Sequence, residues 1–337
     1  MTNTVLVTGA NGFLGGHVVR ELLARHYAVR ALVRPGPSHL TGLPLTLCPG
    51  DITRPAEVAR AAEGCAYVIH AAALASVNPA RSAAHWQVNL VGTENVLRAA
   101  QRAGVRRLVY VGTANVFGFG SRAAPGTERH PYAGARYGLD YMDSKRAATD
   151  RVLAAAAAGL PAVLVHPTFM LGPVDAKPTS GALLLELARG RVPGYPPGGK
   201  NYVHVRDVAT ATVNALTRGR VGESYLLGHE NLSFQDAFRL MAEVLGVPAP
   251  RLALPGPLLR GYGWLGAAAA ALTGRPAALN GAMLRVACNG HYFDCQKAVR
   301  ELDLPQTPVR TAVAEAADWF RQHGFLPPGP PARRGAR

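Results

Sequence analysis

Val5-Leu-Val-Thr-Gly-Ala-Asn-Gly-Phe-Leu-Gly15 places three glycines, Gly9, Gly12 and Gly15, between two hydrophobic segments. The β-branched run before Gly9 predicts a strand, and the apolar spacing after Gly12 predicts a helix. Without a Cβ, a glycine turn lets backbone N–H groups approach a phosphate, and the helix dipole favours its negative charge. The alternative is an ordinary strand-to-helix turn, but the flanking elements favour a dinucleotide-binding turn.

The composition predicts a reduced, soluble, cytoplasmic protein. Hydrophobic residues make up 48% of the 337 residues, and the four cysteines lack the spacing of metal ligands. Because the first residues are already strand-like, we expect no signal peptide. The longest bland apolar run, Leu265–Leu272, is far shorter than the roughly 20 residues of a membrane span. We therefore expect no metal and no integral membrane span.

The chain carries a net charge of +15, from 36 basic and 21 acidic residues. Such a balance is found in nucleic-acid-binding proteins. Here, however, the arginines are scattered, apart from Arg106-Arg107 and Arg333-Arg334. We therefore expect no nucleic-acid partner, and the charge instead favours the attraction of an anionic cofactor.

Strand and helix patterns alternate through the first half of the chain, which is typical of a parallel α/β sheet with helices on both faces. The predicted strands cover residues 4–8, 28–33, 45–48, 66–70, 107–112 and 162–166. The predicted helices cover residues 12–25, 55–62, 81–103 and 137–158. A further strand at Tyr202–Val205, a helix from Asp207, a strand at Ser224–Leu227 and a helix over 233–245 follow. The fold class is thus a Rossmann-type doubly wound parallel sheet.

A change in composition after residue 170 predicts a second, smaller region. Residues 1–170 and about 201–230 would form the dinucleotide-binding domain, and residues 171–200 and 231–326 a discontinuous substrate-binding region. The Pro- and Arg-rich tail, 327–337, is predicted to be disordered. Within the second region, residues 252–284 are rich in apolar side chains, including Leu258, Leu259, Tyr262, Trp264 and Leu265. This segment could be a substrate lid, internal packing or a surface that touches a membrane.

Tyr141 and Lys145 are four residues apart, so on a helix they share one face. A nearby cation favours phenolate, which predicts a lowered pKa for Tyr141 and a role in proton transfer. The alternative is a surface Tyr and Lys on one helical turn. Thr113 follows an apolar strand, Leu108–Val111, at the edge where ligands bind in parallel sheets. Its hydroxyl could bind a reacting oxygen there, or simply satisfy backbone groups at the strand end.

Taken together, the motifs resemble those of extended short-chain dehydrogenases/reductases, the superfamily of sugar-nucleotide epimerases, dihydroflavonol reductases and 3β-hydroxysteroid dehydrogenases. The likeness covers nearly the whole chain. Its motifs are Thr8–Gly15, Gly50-Asp51-Ile52, His70–Ala73, Asn89–Asn95, Thr113, Tyr141 with Lys145, His166–Pro173 and Val203–Val208.

The resemblance implies roles for these residues. Tyr141 would be the general acid, Lys145 would hold the nicotinamide ribose, and Thr113 would bind the substrate oxygen. The implied cofactor contacts are Gly9, Asn11, Gly12, Phe13, Leu14, Gly15, Asp51, Ile52, Ala71, Ala72, Ala73, Lys145 and Pro167. Of these, the three glycines would contact the pyrophosphate, Asp51 and Ile52 the adenine, and the three alanines the middle of the cofactor. Asn89 would be a structural or proton-relay residue.

Arg34, at the end of the second predicted strand, favours NADP(H) over NAD(H). Relatives that bind NAD carry an acidic residue there for the ribose 2′-hydroxyl, whereas an arginine suits a 2′-phosphate. No Asp or Glu lies between Glu21 and Asp51. The alternative is that Arg34 is a solvated loop residue.

The resemblance favours an NADP(H)-dependent oxidoreductase that reduces a ketone or aldehyde of a largely apolar small molecule. Ala114-Asn115 after Thr113 differ from the Asp-Glu pair of sugar-nucleotide dehydratases. One alternative is a nucleotide-sugar epimerase; there, Lys200 before Tyr202 could take the place of a diphosphate-binding arginine. A second alternative is a non-catalytic NADP-binding regulatory protein. Members of the resembled superfamily typically form homodimers through the helices that correspond to 81–103 and 137–158.

Two positions depart from the pattern of these relatives. His166 precedes Pro167 where many relatives have Arg or Asn, and Gly112 replaces a common Ser. We expect His166 to be a hydrogen-bonded histidine at a strand end, and we expect no change in chemistry from Gly112.

Overall fold

A computed structural model of the protein describes residues 3–36, 39–259, 261 and 281–327. Tyr262, Trp264 and Leu265 of the apolar segment, the run Leu265–Leu272 and residues 328–337 of the predicted tail lie outside the described residues.

The central element is a seven-stranded sheet in which all neighbouring strands are parallel, in the order β10-β6-β5-β4-β1-β2-β3. The strand order reverses direction between β1 and β4, which makes their carboxyl ends the ligand-binding crevice of such a sheet. The strands are β1 Thr4–Thr8, β2 Ala28–Val33, β3 Thr46–Pro49, β4 Tyr67–His70, β5 Arg107–Val111, β6 Ala162–Pro167 and β10 Ser224–Leu227. The predicted doubly wound sheet is confirmed.

Helices cover both faces of this sheet because its strands alternate their side chains. Val5 and Val7 of β1 are buried in one core cluster, whereas Leu6 between them is buried in the cluster on the opposite face. The helices are α1 Phe13–Ala24, α2 Pro55–Ala62, α3 Ala83–His85, α4 Gly92–Arg102, α5 Asp140–Ala157, α6 Ala182–Ala188, α7 Val205–Asn214, α8 Phe234–Leu245, α9 Gly281–Ala287, α10 Gln296–Leu302 and α11 Val309–Gln322.

Three predicted helix bounds need correction. The helix predicted over 81–103 contains a π-helical segment, Trp86–Val91, between α3 and α4. The helix predicted from residue 137 begins at Asp140, because Gly138 adopts a left-handed conformation with φ 66°. The helix predicted from Asp207 begins at Val205, where Nδ1 of His204 accepts the N–H of Arg206 at 3.0 Å. His204 is thus the residue that caps α7.

A second, four-stranded sheet lies after β6. In it, β9 Gly199–His204 pairs with β11 Glu230–Ser233, with β13 Gly290–His291 and with β7 Phe169–Leu171. Its core also contains residues of α6, α8 and α11. A two-stranded sheet joins β8 Gly194–Tyr195 to β12 Leu252–Ala253. The short strands of the second sheet contain too few residues for an alternation of apolar and polar side chains to be recognised in the sequence.

Among the described residues, no helix combines the length and apolar character needed to cross a bilayer.

Candidate active site

The glycine turn joins β1 to α1 at the carboxyl edge of the sheet. Gly9 has φ +70°, and a Cβ there would lie 2.5 Å from the backbone nitrogen of Ala72. A Cβ on Gly15 would lie 2.0 Å from the Gly9 carbonyl oxygen. Only glycine fits at both positions, so the turn packs closely against the start of α1 and against the segment after β4.

Gly12 leaves the N-terminus of α1 open on its outer side. Of the described atoms, a Cβ on Gly12 would meet only the Gly9 carbonyl oxygen within 4 Å, at 3.1 Å. Gly12 is the N-cap of α1 and supplies no side chain to bond the first N–H groups, which include those of Phe13 and Leu14. This combination of open space and unbonded N–H groups fits a pyrophosphate. Asn11 lies beside the turn, where its Oδ1 accepts the N–H of His39 at 3.3 Å.

Arg34 and Asp51 lie at the ends of β2 and β3. Arg34 is exposed, and the structure describes no acidic side chain at the end of β2. Asp51 Oδ1 accepts both the N–H and the hydroxyl of Thr53 at 2.8 Å. Burial acts to raise the pKa of Asp51, but the Thr53 hydrogen bonds and the charges of Arg34 and Arg54 hold it below its ordinary value. Ile52 is buried against Gly92: a Cβ on Gly92 would lie 2.6 Å from Cδ1 of Ile52.

Thr113, Tyr141 and Lys145 come together at the end of β5. The Thr113 side chain lies close enough to the Tyr141 hydroxyl to influence its pKa. Thr113 Oγ1 also accepts the N–H of Asn115 at 3.4 Å, so the threonine hydroxyl keeps its own proton for donation. Lys145 is 2% exposed; its Nζ donates to the Val111 carbonyl at 2.8 Å and lies 4.4 Å from the centroid of the Tyr110 ring.

The expected lowering of the Tyr141 pKa by Lys145 is wrong for this structure. Burial raises the pKa of Tyr141, and the nearby Thr113 side chain only partly opposes that rise. Burial also lowers the pKa of Lys145 to about 7. The sequence pattern places the two side chains on one helix face, but it does not reveal how completely the sheet edge desolvates them.

Tyr141 is half-buried and packs against a cluster of apolar side chains, which we call the Tyr141 cluster. Its buried members are Tyr137, Leu139, Met142 and Ala282, and its partly buried members are Val77, Ala80, Phe119, Tyr132, Tyr141 and Val286. The cluster joins α5 to α9 and to the segment after β5. One side of the candidate proton donor is therefore in contact with hydrocarbon and aromatic side chains.

The segment after β4 lies between the glycine turn and α5. Ala71 and Ala72 donate backbone N–H groups to the carbonyl and hydroxyl oxygens of Thr8, at 3.1 and 3.3 Å, and Ala73 follows them. Asn89 accepts the Leu74 N–H at 2.8 Å and donates to the Leu74 carbonyl at 3.1 Å. It also donates to Ser144 Oγ at 3.0 Å. Asn89 therefore braces this segment against α5, which matches the structural role expected of it.

His166 and Pro167 end β6 beside Thr113. His166 is fully buried, and its Nε2 lies 3.2 Å from Ser224 Oγ, as expected for a strand-end histidine. The motifs of the sequence do not indicate an aromatic stack in which His291 lies 4.1 Å from Phe119 and 5.9 Å from Tyr137, measured between ring centroids. Strand β13, which carries His291, has two residues and leaves no pattern from which the stack could be found.

The chain is similar to known proteins over nearly its whole length. The sequence profile of the NAD dependent epimerase/dehydratase family matches residues 5–228. A Synechocystis protein with the provisional name dihydroflavonol 4-reductase is 34% identical over 97% of each chain. Sterol demethylase protein B of Methylococcus capsulatus is 33% identical over 96% of this chain and 100% of its own. The crystal structure of a nucleoside-diphosphate-sugar epimerase from Pseudomonas aeruginosa superposes with a TM-score of 0.81, at 28% identity over 96% and 99% of the two chains.

Proposed function

Since this chain belongs to the NAD dependent epimerase/dehydratase family, we propose that it is an NADP(H)-dependent reductase of a ketone or aldehyde on a largely apolar substrate. The observation that carries this proposal is the Tyr141 cluster, in which apolar side chains pack against the candidate proton donor close to Thr113. A site of this kind suits a substrate that buries hydrocarbon around one polar group. The names of the relatives, a reductase and a sterol-related protein, are consistent with it.

The glycine turn and Lys145 would hold the cofactor, which when bound would supply the hydride that reduces the carbonyl carbon to an alcohol. Tyr141 donates its hydroxyl proton to the carbonyl oxygen, while Thr113 donates a hydrogen bond to the same oxygen. The raised pKa of Tyr141 keeps the phenol protonated at neutral pH, which is the form that a proton donor needs. Lys145 would hold the ribose hydroxyls and return a proton to Tyr141.

NADP(H) is the proposed cofactor because Arg34 brings an exposed positive charge to the end of β2. The next acidic residue after Arg34 in the sequence is Asp51. One of its carboxylate oxygens accepts hydrogen bonds from Thr53. A guanidinium binds a phosphate bidentately, whereas a ribose 2′-hydroxyl calls for a carboxylate.

A panel of apolar ketones and aldehydes, followed by NADPH absorbance with NADH for comparison, tests the proposal. We expect stoichiometric consumption of NADPH with at least one apolar carbonyl compound. Turnover of nucleotide sugars alone, without net NADPH consumption, would contradict it.

A nucleotide-sugar epimerase is the second candidate, and Lys200 is the observation that favours it. Its Nζ lies 4.6 Å from the centroid of the Phe169 ring, and burial lowers its pKa to about 8. Within the described ranges Lys200 forms no ion pair, so it is available to an anionic group such as a diphosphate. An epimerase would retain a nicotinamide cofactor during purification and convert a nucleotide sugar without added NADPH.

The division of labour within the chain is part of the proposal. Residues 1–170 and about 201–230 would bind the dinucleotide, and residues 171–200 and 231–326 would bind the substrate. Strand β9, Gly199–His204, belongs to both regions and would couple them. We also propose a homodimer through α4 and α5, which light scattering of the purified protein tests.

A further inference from the structure

A buried chain of hydrogen bonds runs from β1 through β4 to the helix that follows. Thr8 Oγ1 lies 2.7 Å from Nδ1 of His70, and Nε2 of His70 lies 3.0 Å from Thr93 Oγ1. Thr93 Oγ1 in turn donates to the Asn89 carbonyl at 2.6 Å. Thr8, His70, Thr93 and Asn89 are all at most 1% exposed. None of them has been given a catalytic role above.

The direction of each bond in this chain follows from the protons available. Thr93 has one hydroxyl proton, and the Asn89 carbonyl, which can only accept, takes it. The bond between Thr93 and His70 must therefore use a proton on Nε2 of the imidazole. A neutral imidazole carries one proton, so Nδ1 accepts, and the Thr8 hydroxyl must donate to it. The imidazole is neutral at physiological pH, because burial and the nearby Lys145 lower the pKa of His70 to about 3.

The direction of these bonds determines which hydrogen bond Thr8 can form with the segment after β4. With its proton given to His70, Thr8 Oγ1 still has a free lone pair, which accepts the Ala72 N–H at 3.3 Å. Ala72 is the residue pressed against Gly9, where a Cβ would lie 2.5 Å from its nitrogen. The network therefore holds Ala72 against the glycine turn, while Asn89 at its other end holds Leu74.

We propose that His70, carrying its proton on Nε2, is a positioning residue for dinucleotide binding: through Thr8 and Thr93 it sets the spacing between the glycine turn and the Ala71–Leu74 segment. The proposal rests on the dinucleotide site of the proposed function, but not on the substrate or on the direction of hydride transfer. His70 itself does not touch the cofactor; the two threonines transmit its effect.

Three single substitutions test the network by its effect on NADPH affinity. Thr8→Val and Thr93→Val keep the side-chain shape and remove one link each, and His70→Leu removes both. By calorimetric titration we expect each to raise the Kd for NADPH on the order of tenfold, since each leaves a buried polar group without its partner. Thr212→Val is the matched control, because the buried Thr212 hydroxyl donates to the carbonyl of Val208, four residues earlier, at 2.7 Å on α7.

The control separates positioning from general stability. Thr93→Val and Thr212→Val each lose a hydroxyl bond to the carbonyl four residues earlier, and Thr93→Val also loses the His70 bond, so urea titrations should show at least as large a loss of unfolding free energy for Thr93→Val. Only Thr93→Val should weaken NADPH binding, and Thr212→Val should leave the Kd within about twofold. Equal Kd changes in both variants, or no change in either, would overturn the proposal. Because NADPH binding is the readout, a failure of the reductase proposal, seen as absent turnover, is distinguishable from a failure of this one.

A spectroscopic measurement on the unmodified protein keeps the proposal testable if the variants fold poorly. Long-range proton–nitrogen correlation spectra report which imidazole nitrogen carries the proton, and His70→Asn identifies the His70 signal. We expect a protonated Nε2 and an unprotonated Nδ1, unchanged between pH 6 and 8. A proton on Nδ1 would reverse the Thr8 bond and refute the proposed network.

Discussion

Gly112 and His166 are complementary neighbours on adjacent strand ends: a Cβ built on Gly112 would lie 2.3 Å from Nδ1 of His166. The imidazole also packs edge-on against Phe117, with 4.8 Å between ring centroids. The two positions that we expected to depart from the family pattern thus share one packing contact. The imidazole occupies the space that a serine side chain at position 112 would need.

Gly112→Ser should therefore lower the free energy of unfolding by about 1–3 kcal/mol, the usual cost of overpacking a filled core. Gly112→Ser combined with His166→Asn should recover most of that loss, because the smaller amide frees the space. Urea titrations of the two variants measure this. Gly261→Ser is the control, since a Cβ there meets no atom of the described residues within 4 Å. Additive losses in the double variant would show that the two positions are independent.

Tyr141→Phe should reduce turnover at least about 100-fold, because it removes the proposed proton donor while keeping the ring. The Kd for NADPH should stay within about twofold. Tyr225→Phe is a suitable control, since the Tyr225 hydroxyl bonds Glu301 at 2.8 Å and has no proposed role in the reaction. Full turnover in Tyr141→Phe would disprove the assignment.

NADPH binding should weaken as the pH rises above about 7, the lowered pKa of Lys145 in the cofactor-free protein. Above that pH Lys145 is neutral and must take up a proton to bind the ribose as an ammonium, which costs up to about tenfold in affinity per pH unit. Lys145→Arg keeps its charge throughout this range, so its affinity should be nearly constant. Parallel pH profiles for the two proteins would contradict this prediction.

Acid should destabilise the fold below about pH 6.5 through three buried histidines, His70, His166 and His291. Burial lowers the pKa of each to about 3. Between their unfolded and folded pKa values the unfolded chain binds protons that the folded chain does not, so stability present above pH 6.5 is lost as the pH falls. Each histidine contributes up to about 1.4 kcal/mol per pH unit.

Urea titrations at pH 7.5, 6.0 and 5.0 measure this slope. His291→Phe, which preserves an aromatic ring beside Phe119, should make the slope shallower, whereas substitution of the exposed His26 by Asn should leave it unchanged. An unchanged slope in His291→Phe would show that His291 becomes protonated in the folded state.

Arg34→Glu should shift cofactor preference towards NADH, because a carboxylate repels the 2′-phosphate and accepts hydrogen bonds from a 2′-hydroxyl. We expect the ratio of kcat/KM for NADPH over NADH to fall at least about tenfold. Arg60→Glu makes the same charge change at an exposed position of α2 and should leave the ratio unaltered. Equal effects of the two substitutions would reduce the role of Arg34 to long-range electrostatics.

The sequence predicts the parallel sheet well because its strands are buried, β-branched and separated by amphipathic helices. It predicts that Tyr141 and Lys145 share a helix face, since helix periodicity requires it. The short strands β7, β11 and β13 escape prediction because two to four residues carry no readable period. In the structure each of them pairs with β9.

The direction in which the pKa of Tyr141 is shifted also could not be predicted from the sequence. Whether Lys145 or burial dominates the pKa of Tyr141 depends on how much water the sheet edge excludes, a property of tertiary packing. The link between Gly112 and His166 was hidden for the same reason, because 54 positions separate two residues that touch across adjacent parallel strands.

The second sheet has a consequence for how the protein is made. Once the chain has been synthesised through Leu227, all seven strands of the central sheet are present. The last strand of the second sheet, Gly290–His291, is still missing at that point. The ribosome therefore releases β13, which carries His291, long after the glycine turn, Thr113, Tyr141 and Lys145. A chain ending near residue 250 would contain every strand of the central sheet but not β13 of the second one. The region of the glycine turn is thus synthesised first and the region of His291 last.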